Sequence, residues 1–149
     1  MKLSSKTLVA ALTLPVLLTA CASQGDEVQQ ITASDLQHHH WELVSIDGNE
    51  LALSDDAKAP TLEVGEKMTA NGNAGCNNYF GLAELKDMNQ FRIDKMGMTM
   101  KLCMGPANEI EQKFSTTLSS WSDMTLTNDS LVLTGEKHTL TFKLSDWKY

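Results

Sequence analysis

The sequence predicts a mainly β protein, a small antiparallel β-barrel-like meander of about eight short strands with one α-helix at about residues 106–121. Three observations predict it. From Trp41 onward, apolar residues alternate with polar ones in short runs, the signature of strands with one dry face. Turn-forming clusters such as Asp47-Gly48-Asn49, Gly65-Glu66 and Asn128-Asp129 separate those runs. A single stretch changes period: Ile110, Phe114, Leu118 and Trp121 recur at helical spacing.

The chain has 149 residues, room for one domain once its start is set aside. Residues 1–20 read as a secretory signal peptide. Lys2 and Lys6 precede the apolar run Leu8 to Leu18, which is too short to cross a hydrocarbon core of about 30 Å. The block Leu18-Thr19-Ala20-Cys21 is similar to a bacterial lipobox. That similarity implies cleavage before Cys21, diacylglycerol on its sulfur and acylation of the new amino group. Ala22 stands where an Asp would signal inner-membrane retention in enteric-type sorting, so the expected location is the periplasmic face of the outer membrane. Residues 21–36 are polar and read as a flexible tether, with Ser34-Asp35 in a short helical turn, and the folded domain is expected over 37–149. Removing residues 1–20 takes away two Lys and no acid, so the net charge moves from −7 to −9. That balance argues against nucleic acid and against electrostatic recruitment to anionic lipid. The membrane partner is then reached through the lipid on Cys21.

In order along the domain, Trp41 to Ile46 forms a strand ending in the hairpin-type turn Asp47-Gly48-Asn49, and Leu51 to Leu53 answers it. Thr61 to Val64 turns Leu62 and Val64 inward, Gly65-Glu66 reverses the chain, and Met68 to Ala70 returns. The stretch Asn71 to Gly81, NGNAGCNNYFG, reads as irregular, because Gly and Asn tolerate positive φ. Tyr79 and Phe80 are expected to pin it to the core, with Cys76 as an anchor. Tyr79 to Lys86 and Gln90 to about Met100 pair through Asp87-Met88-Asn89. On the second of these, Phe91 and Ile93 share one face and Met96, Met98 and Met100 the other. Burying both sets requires an extra residue, a bulge near Asp94 to Gly97. Pro106 suits the first turn of the helix, and Glu109 and Glu111 lie near its positive end. Met124 and Leu126, then Leu131 and Leu133, then Leu140, Phe142 and Leu144 complete the meander, turning at Asn128-Asp129 and at Thr134 to His138.

Three pieces in this order carry a family resemblance: Gly75-Cys76-Asn77-Asn78-Tyr79-Phe80-Gly81, then Met98-Thr99-Met100 with Cys103, then the helix with Glu109, Glu111 and Phe114. Together they resemble the META-domain family, in its HslJ-like lipoprotein branch, from about Leu36 to Leu144. The resemblance implies an antiparallel β-barrel-like fold with one helix. It also implies an envelope protein linked to heat-shock or antibiotic-stress phenotypes such as novobiocin resistance, with no established molecular activity.

With Cys21 lipidated, Cys76 and Cys103 are the thiols left, in an oxidising compartment and with no alternative intramolecular partner. A Cys76–Cys103 disulfide is therefore expected, closing a loop of roughly 27 residues. A catalytic reading, either Cys with His138 as base, has no support in the spacing. Asp55 and Asp56 lack the Gly and terminal Glu of a calcium loop and read as solvated. His38-His39-His40 also reads as a solvated domain entrance, since neighbours on an extended chain face opposite ways. The alternative site is a soft-metal cluster of Met96, Met98, Met100, Cys103 and Met104, whose sulfurs suit Cu(I). The competing assignment makes these methionines core filler and leaves no metal and no cofactor. The expected function is a lipid-anchored, non-enzymatic envelope stress module whose partner is an unidentified envelope protein or small molecule.

Overall fold

The computed structural model describes residues 29–54, 57–87 and 89–146. Residues 1–28, and with them Cys21 and the signal segment, lie outside it, as do Asp55, Asp56 and Met88. In chain order the elements are α1 (Ala33–Leu36), β1 (His40–Ile46), β2 (Asn49–Glu50), β3 (Thr61–Val64), β4 (Thr69–Asn73), β5 (Asn78–Lys86), β6 (Gln90–Met98), α2 (Pro106–Ser119), β7 (Ser122–Leu126), β8 (Ser130–Thr134) and β9 (Thr139–Leu144). Each strand pairs antiparallel with its neighbour, and β1 also pairs with β9, so eight strands close into a barrel with β2 as an extra strand on β1. Closure removes the sheet edges that an open meander would leave unpaired.

Alternation sets the core. Trp41, Leu43, Leu62, Val64, Phe91, Ile93, Leu131, Leu133, Leu140 and Phe142 all point inward and are buried. Two irregularities keep that face dry. In β1 the register shifts between Leu43 and Ser45, which returns Ile46 to the inside. In β6 the pairing jumps from Leu82↔Asp94 to Phe80↔Gly97, leaving an extra residue at Lys95–Met96, with Lys95 at φ 51°. This is the bulge that the two-faced pattern of β6 requires. The turn Asp47-Gly48, with φ 54° and 77°, has the two positive φ values of a two-residue hairpin and pairs Ile46 with Asn49. Beyond Glu50, however, Leu51 to Leu53 is not strand.

The helix plugs one end of the barrel. Gly105, at φ 68°, turns the chain into Pro106, and Ile110, Phe114 and Leu118 form its buried stripe. Phe114 is fully buried between the rings of Tyr79 and Phe142, at centroid distances of 5.6 and 6.1 Å. Trp121 was expected on this stripe, but α2 stops at Ser119. Its ring instead lies on the outer wall, under the Arg92 guanidinium at 4.7 Å and the Lys86 ammonium at 5.5 Å.

Three further expectations are corrected. Asn71 to Gly81 is mostly a regular hairpin, β4 and the start of β5, and only Ala74 to Asn77 are irregular. Glycines stand within its strands because other groups approach closely: a Cβ at Gly72 would overlap the Thr61 carbonyl, and one at Gly81 the Ile93 side chain. Phe80 is not an inward anchor. Strand alternation sends Tyr79 in and leaves Phe80 64% exposed, its ring lying over Gly97. Finally, the last part of the expected tether belongs to the folded body. Leu36 is fully buried, the Ile31 N–H donates to Asn89 Oδ1 at 2.7 Å, and Thr32 with Asp35 forms a capping box on α1.

Candidate functional site

The family-motif residues converge where α2 begins, at the end of the barrel opposite the entry of the chain. Asn77 is the centre and is buried. Its backbone N–H donates to Glu111 Oε2 at 2.6 Å, and its side-chain amide donates to Glu111 Oε1 at 3.0 Å and to the Lys101 carbonyl at 3.2 Å. Its Oδ1 accepts from the Lys101 N–H at 2.7 Å and from Thr99 Oγ1 at 2.8 Å. One side chain thus ties the β4–β5 turn to the helix and to the loop 99–105. Only an amide both donates and accepts in this pattern, which accounts for Asn rather than Asp or Leu at the position.

The neighbours complete the clamp. Gly75, at φ 112°, lies against Ile110 and the Ala107 carbonyl, so a side chain there would push the helix away. Asn73 Oδ1 accepts from the Gly75 N–H at 2.8 Å, and Asn73 Nδ2 donates to Asn78 Oδ1 at 3.0 Å. Asn78 and Thr99 exchange two further bonds, at 3.0 and 3.1 Å. The Tyr79 hydroxyl donates to the Thr61 carbonyl at 2.8 Å, and burial pushes its pKa well above the ordinary phenol value. Cys76 and Cys103 are bonded, with Cα atoms 6.2 Å apart, inside the range that a disulfide spans.

A family model described as the META domain matches residues 34–147. The chain belongs to the META-domain family. Heat shock protein HslJ of Escherichia coli (strain K12) is 32% identical over 142 residues, covering 95% of this chain and 97% of that protein. A protein solved by NMR superposes with a TM-score of 0.67 at 31% identity, over 78% of this chain and 97% of that one. A protein from Burkholderia xenovorans, also solved by NMR, gives 0.61 at 23% identity, with coverage of 82% and 97%. At that identity the likeness concerns the fold alone.

The motif residues Gly75, Cys76, Asn77, Asn78 and Tyr79 together with Thr99 are therefore brought together, while Gly81 serves close packing within the barrel wall. Met98 is half-buried on β6, and Met100 stands apart. Met100 and Met104 were expected to fill the core, yet they are 97% and 85% exposed, with Leu102 between them at 94%. The five sulfurs considered for Cu(I) stand in different surroundings. Cys103 is bonded to Cys76, Met96 accepts from Ser119 Oγ at 3.6 Å on the wall, and Met100 and Met104 project from the loop.

At the opposite mouth, the three consecutive histidines line a cavity of about 450 Å³ with Glu63, Val64, Gly65, Asn71 and Asp146. Each His takes its own carboxylate: His38 with Glu66 at 3.3 Å, His39 with Asp146 at 2.8 Å, and His40 with Glu63. The His40 N–H donates to the other Asp146 oxygen at 2.7 Å, and this bond and then His39 hold the Asp146 carboxyl below its usual pKa. Among the described residues no group of three or more His, Cys, Asp or Glu is placed to hold a metal ion. Sequence reasoning missed Asn89, which captures Gln29 and Ile31 at this mouth, and the Asn77–Glu111 contact. Both join residues far apart in the chain, and no local pattern reports them.

Proposed function

We propose that this protein is a lipid-anchored envelope stress protein of the heat-shock or novobiocin-resistance type, acting as a non-enzymatic binding or structural module. Lipid on Cys21 holds it at the periplasmic face of the outer membrane. One observation carries the non-enzymatic part: the motif residues are consumed in holding one another. Asn77 has its donors and acceptor engaged, Glu111 is its partner, and Cys76 is bonded to Cys103. A nucleophile needs an adjacent base and room for a substrate, whereas this cluster is a closed knot that rigidifies a displayed loop. The likeness to heat shock protein HslJ supports the stress assignment.

The test is metabolic labelling with palmitate and fractionation of envelopes. The wild-type chain should incorporate label and sediment with outer membranes, and Cys21→Ala should do neither. Label persisting in Cys21→Ala would end the anchoring part of the proposal.

A further inference from the structure

Loop 99–105 is built as a rigid prong with an apolar tip. Every second residue is fastened to the domain: Thr99 and the Lys101 backbone to Asn77, and Cys103 to Cys76. The residues between them, Met100, Leu102 and Met104, are 97%, 94% and 85% exposed. Exposed apolar side chains scattered singly are ordinary, but three held outward by one covalent and several polar ties are a built surface. Phe80 and Leu82, on the outward face of β5, are 64% and 44% exposed.

We propose that Met100, Leu102 and Met104 insert into the surface of a lipid bilayer and give the domain a second attachment to the membrane. The proposal rests on the anchored reading only for the nearness of that membrane. The three side chains project almost wholly into solvent, and the prong carries no Trp, Tyr or Arg of the kind that anchors protein interfaces. Chain length fits the geometry. Gln29 is held by Asn89 at the end of the barrel opposite the prong, and eight residue steps separate it from Cys21. Eight steps reach at most about 29 Å, close to the roughly 30 Å length of a nine-residue strand. A barrel lying along the membrane therefore places the tether and the prong on one surface, with Phe80 and Leu82 on the wall between them. With a net charge of −9 after residue 20, insertion should favour zwitterionic over anionic lipid.

The experiment uses the lipid-bearing protein in vesicles of phosphatidylethanolamine and phosphatidylcholine at millimolar lipid. Peroxide oxidation of Met100 and Met104 is read by mass spectrometry, beside the Leu102→Glu variant treated identically. Leu102 is solvent-exposed, so the variant keeps its fold, and a thermal melt verifies that. Both methionines should oxidise about tenfold more slowly in the wild type than in Leu102→Glu. Equal rates, with the protein still floating with the vesicles, would overturn the prong while leaving the anchor intact. A Cys21 found without lipid would end the anchored reading alone. At millimolar lipid the prong must still protect the two methionines, and absence of protection overturns it. Protection in whole envelopes but not in pure vesicles would assign the prong to a protein partner and likewise overturn the proposal.

Discussion

The two ends of the barrel are held by different chemistry. At the α2 end, a buried amide and a disulfide join three segments, and the bonds that the amide makes are partly buried. At the mouth, His–carboxylate pairs join the chain entry to β3 and to the segment after β9, with side chains that are up to four-fifths exposed. Buried, geometrically unique contacts resist salt and pH, and their loss leaves partners stranded. Exposed ion pairs titrate, are screened and contribute little. The comparison predicts that stability is concentrated at the end that displays the prong, which is what a surface that must keep its shape requires.

The largest effect should follow from opening the disulfide. Its loop spans 27 residues, for which the chain-entropy model gives about 3.5 kcal/mol. Cys76→Ser with Cys103→Ser should lower the urea-unfolding free energy by about that amount, a large share of a typical total of about 5–15 kcal/mol. A loss below about 1 kcal/mol would place the two ends on an equal footing and break the comparison.

Asn77→Ala comes next, at about 2–4 kcal/mol, because it strands Glu111 Oε1 and both polar groups of the Lys101 backbone, while the backbone N–H of residue 77 keeps its bond to Oε2. Asn77→Asp should be at least as harmful at neutral pH, since it sets a second carboxylate against Glu111. The like charge raises the folded-state pKa above the unfolded one, so the folded form binds the proton more tightly. The deficit should therefore shrink as pH falls. Unfolding titrations of both variants at pH 7 and pH 4 check this, and an Asn77→Asp deficit independent of pH would contradict it.

Much of this contrast could be anticipated residue by residue, and the omissions have physical causes. Alternation reported the inward faces of β1, β3 and β7 to β9 because each strand has one wet side. The clash between Phe91 with Ile93 and Met96 with Met98 reported a bulge because a sheet has only two faces. The expectation of a lipidated Cys21 left Cys76 and Cys103 as the thiols that could pair, and they are bonded. Composition misled at NGNAGCNNYFG, where the glycines mark close approach within strands rather than an irregular coil. It misled again at Met100 and Met104, because an apolar residue held outward by its neighbours looks the same in sequence as one that fills a core. The Asn77–Glu111 bond, across 34 residues, and the β1–β9 closure depend on topology that no local signal carries.

A smaller effect is expected at the mouth. The His40 N–H and then the His39 ring hold the Asp146 carboxyl below its usual pKa. A carboxylate depressed in the folded state contributes stability that is complete above the unfolded value, about 3.9, and is lost as pH falls through the lower folded value. Asp146→Asn should therefore cost less than about 1 kcal/mol at pH 7, and the difference from wild type should begin to shrink only below about pH 4 and vanish once pH has fallen through the lower folded value. Asp47 provides a control at the other end, where the Thr139 N–H and then His138 lower its pKa in the same way. A mouth variant costing as much as Asn77→Ala would reverse the ranking of the two ends.

The smallest effect sharpens the comparison within a single loop. Thr99, Lys101 and Cys103 face the clamp, and Met100, Leu102 and Met104 face away from it. Stability should alternate with them. Thr99→Val removes a hydroxyl that donates to Asn77 and accepts from the Asn78 N–H, a loss of about 1 kcal/mol. Ser at position 100, 102 or 104 removes no packing, because each side chain is almost wholly in water, and each should change the unfolding free energy by no more than about 0.5 kcal/mol. A core methionine or leucine of the same size would cost about 2–5 kcal/mol on truncation, so the two situations are easily separated. Denaturant unfolding of Thr99→Val and Leu102→Ser provides the measurement. If Leu102→Ser cost as much as Thr99→Val, the prong would be part of the packing. If it cost nothing, three large apolar side chains would stay in water without supporting the fold, and the reason for their presence would have to lie in what they touch outside it.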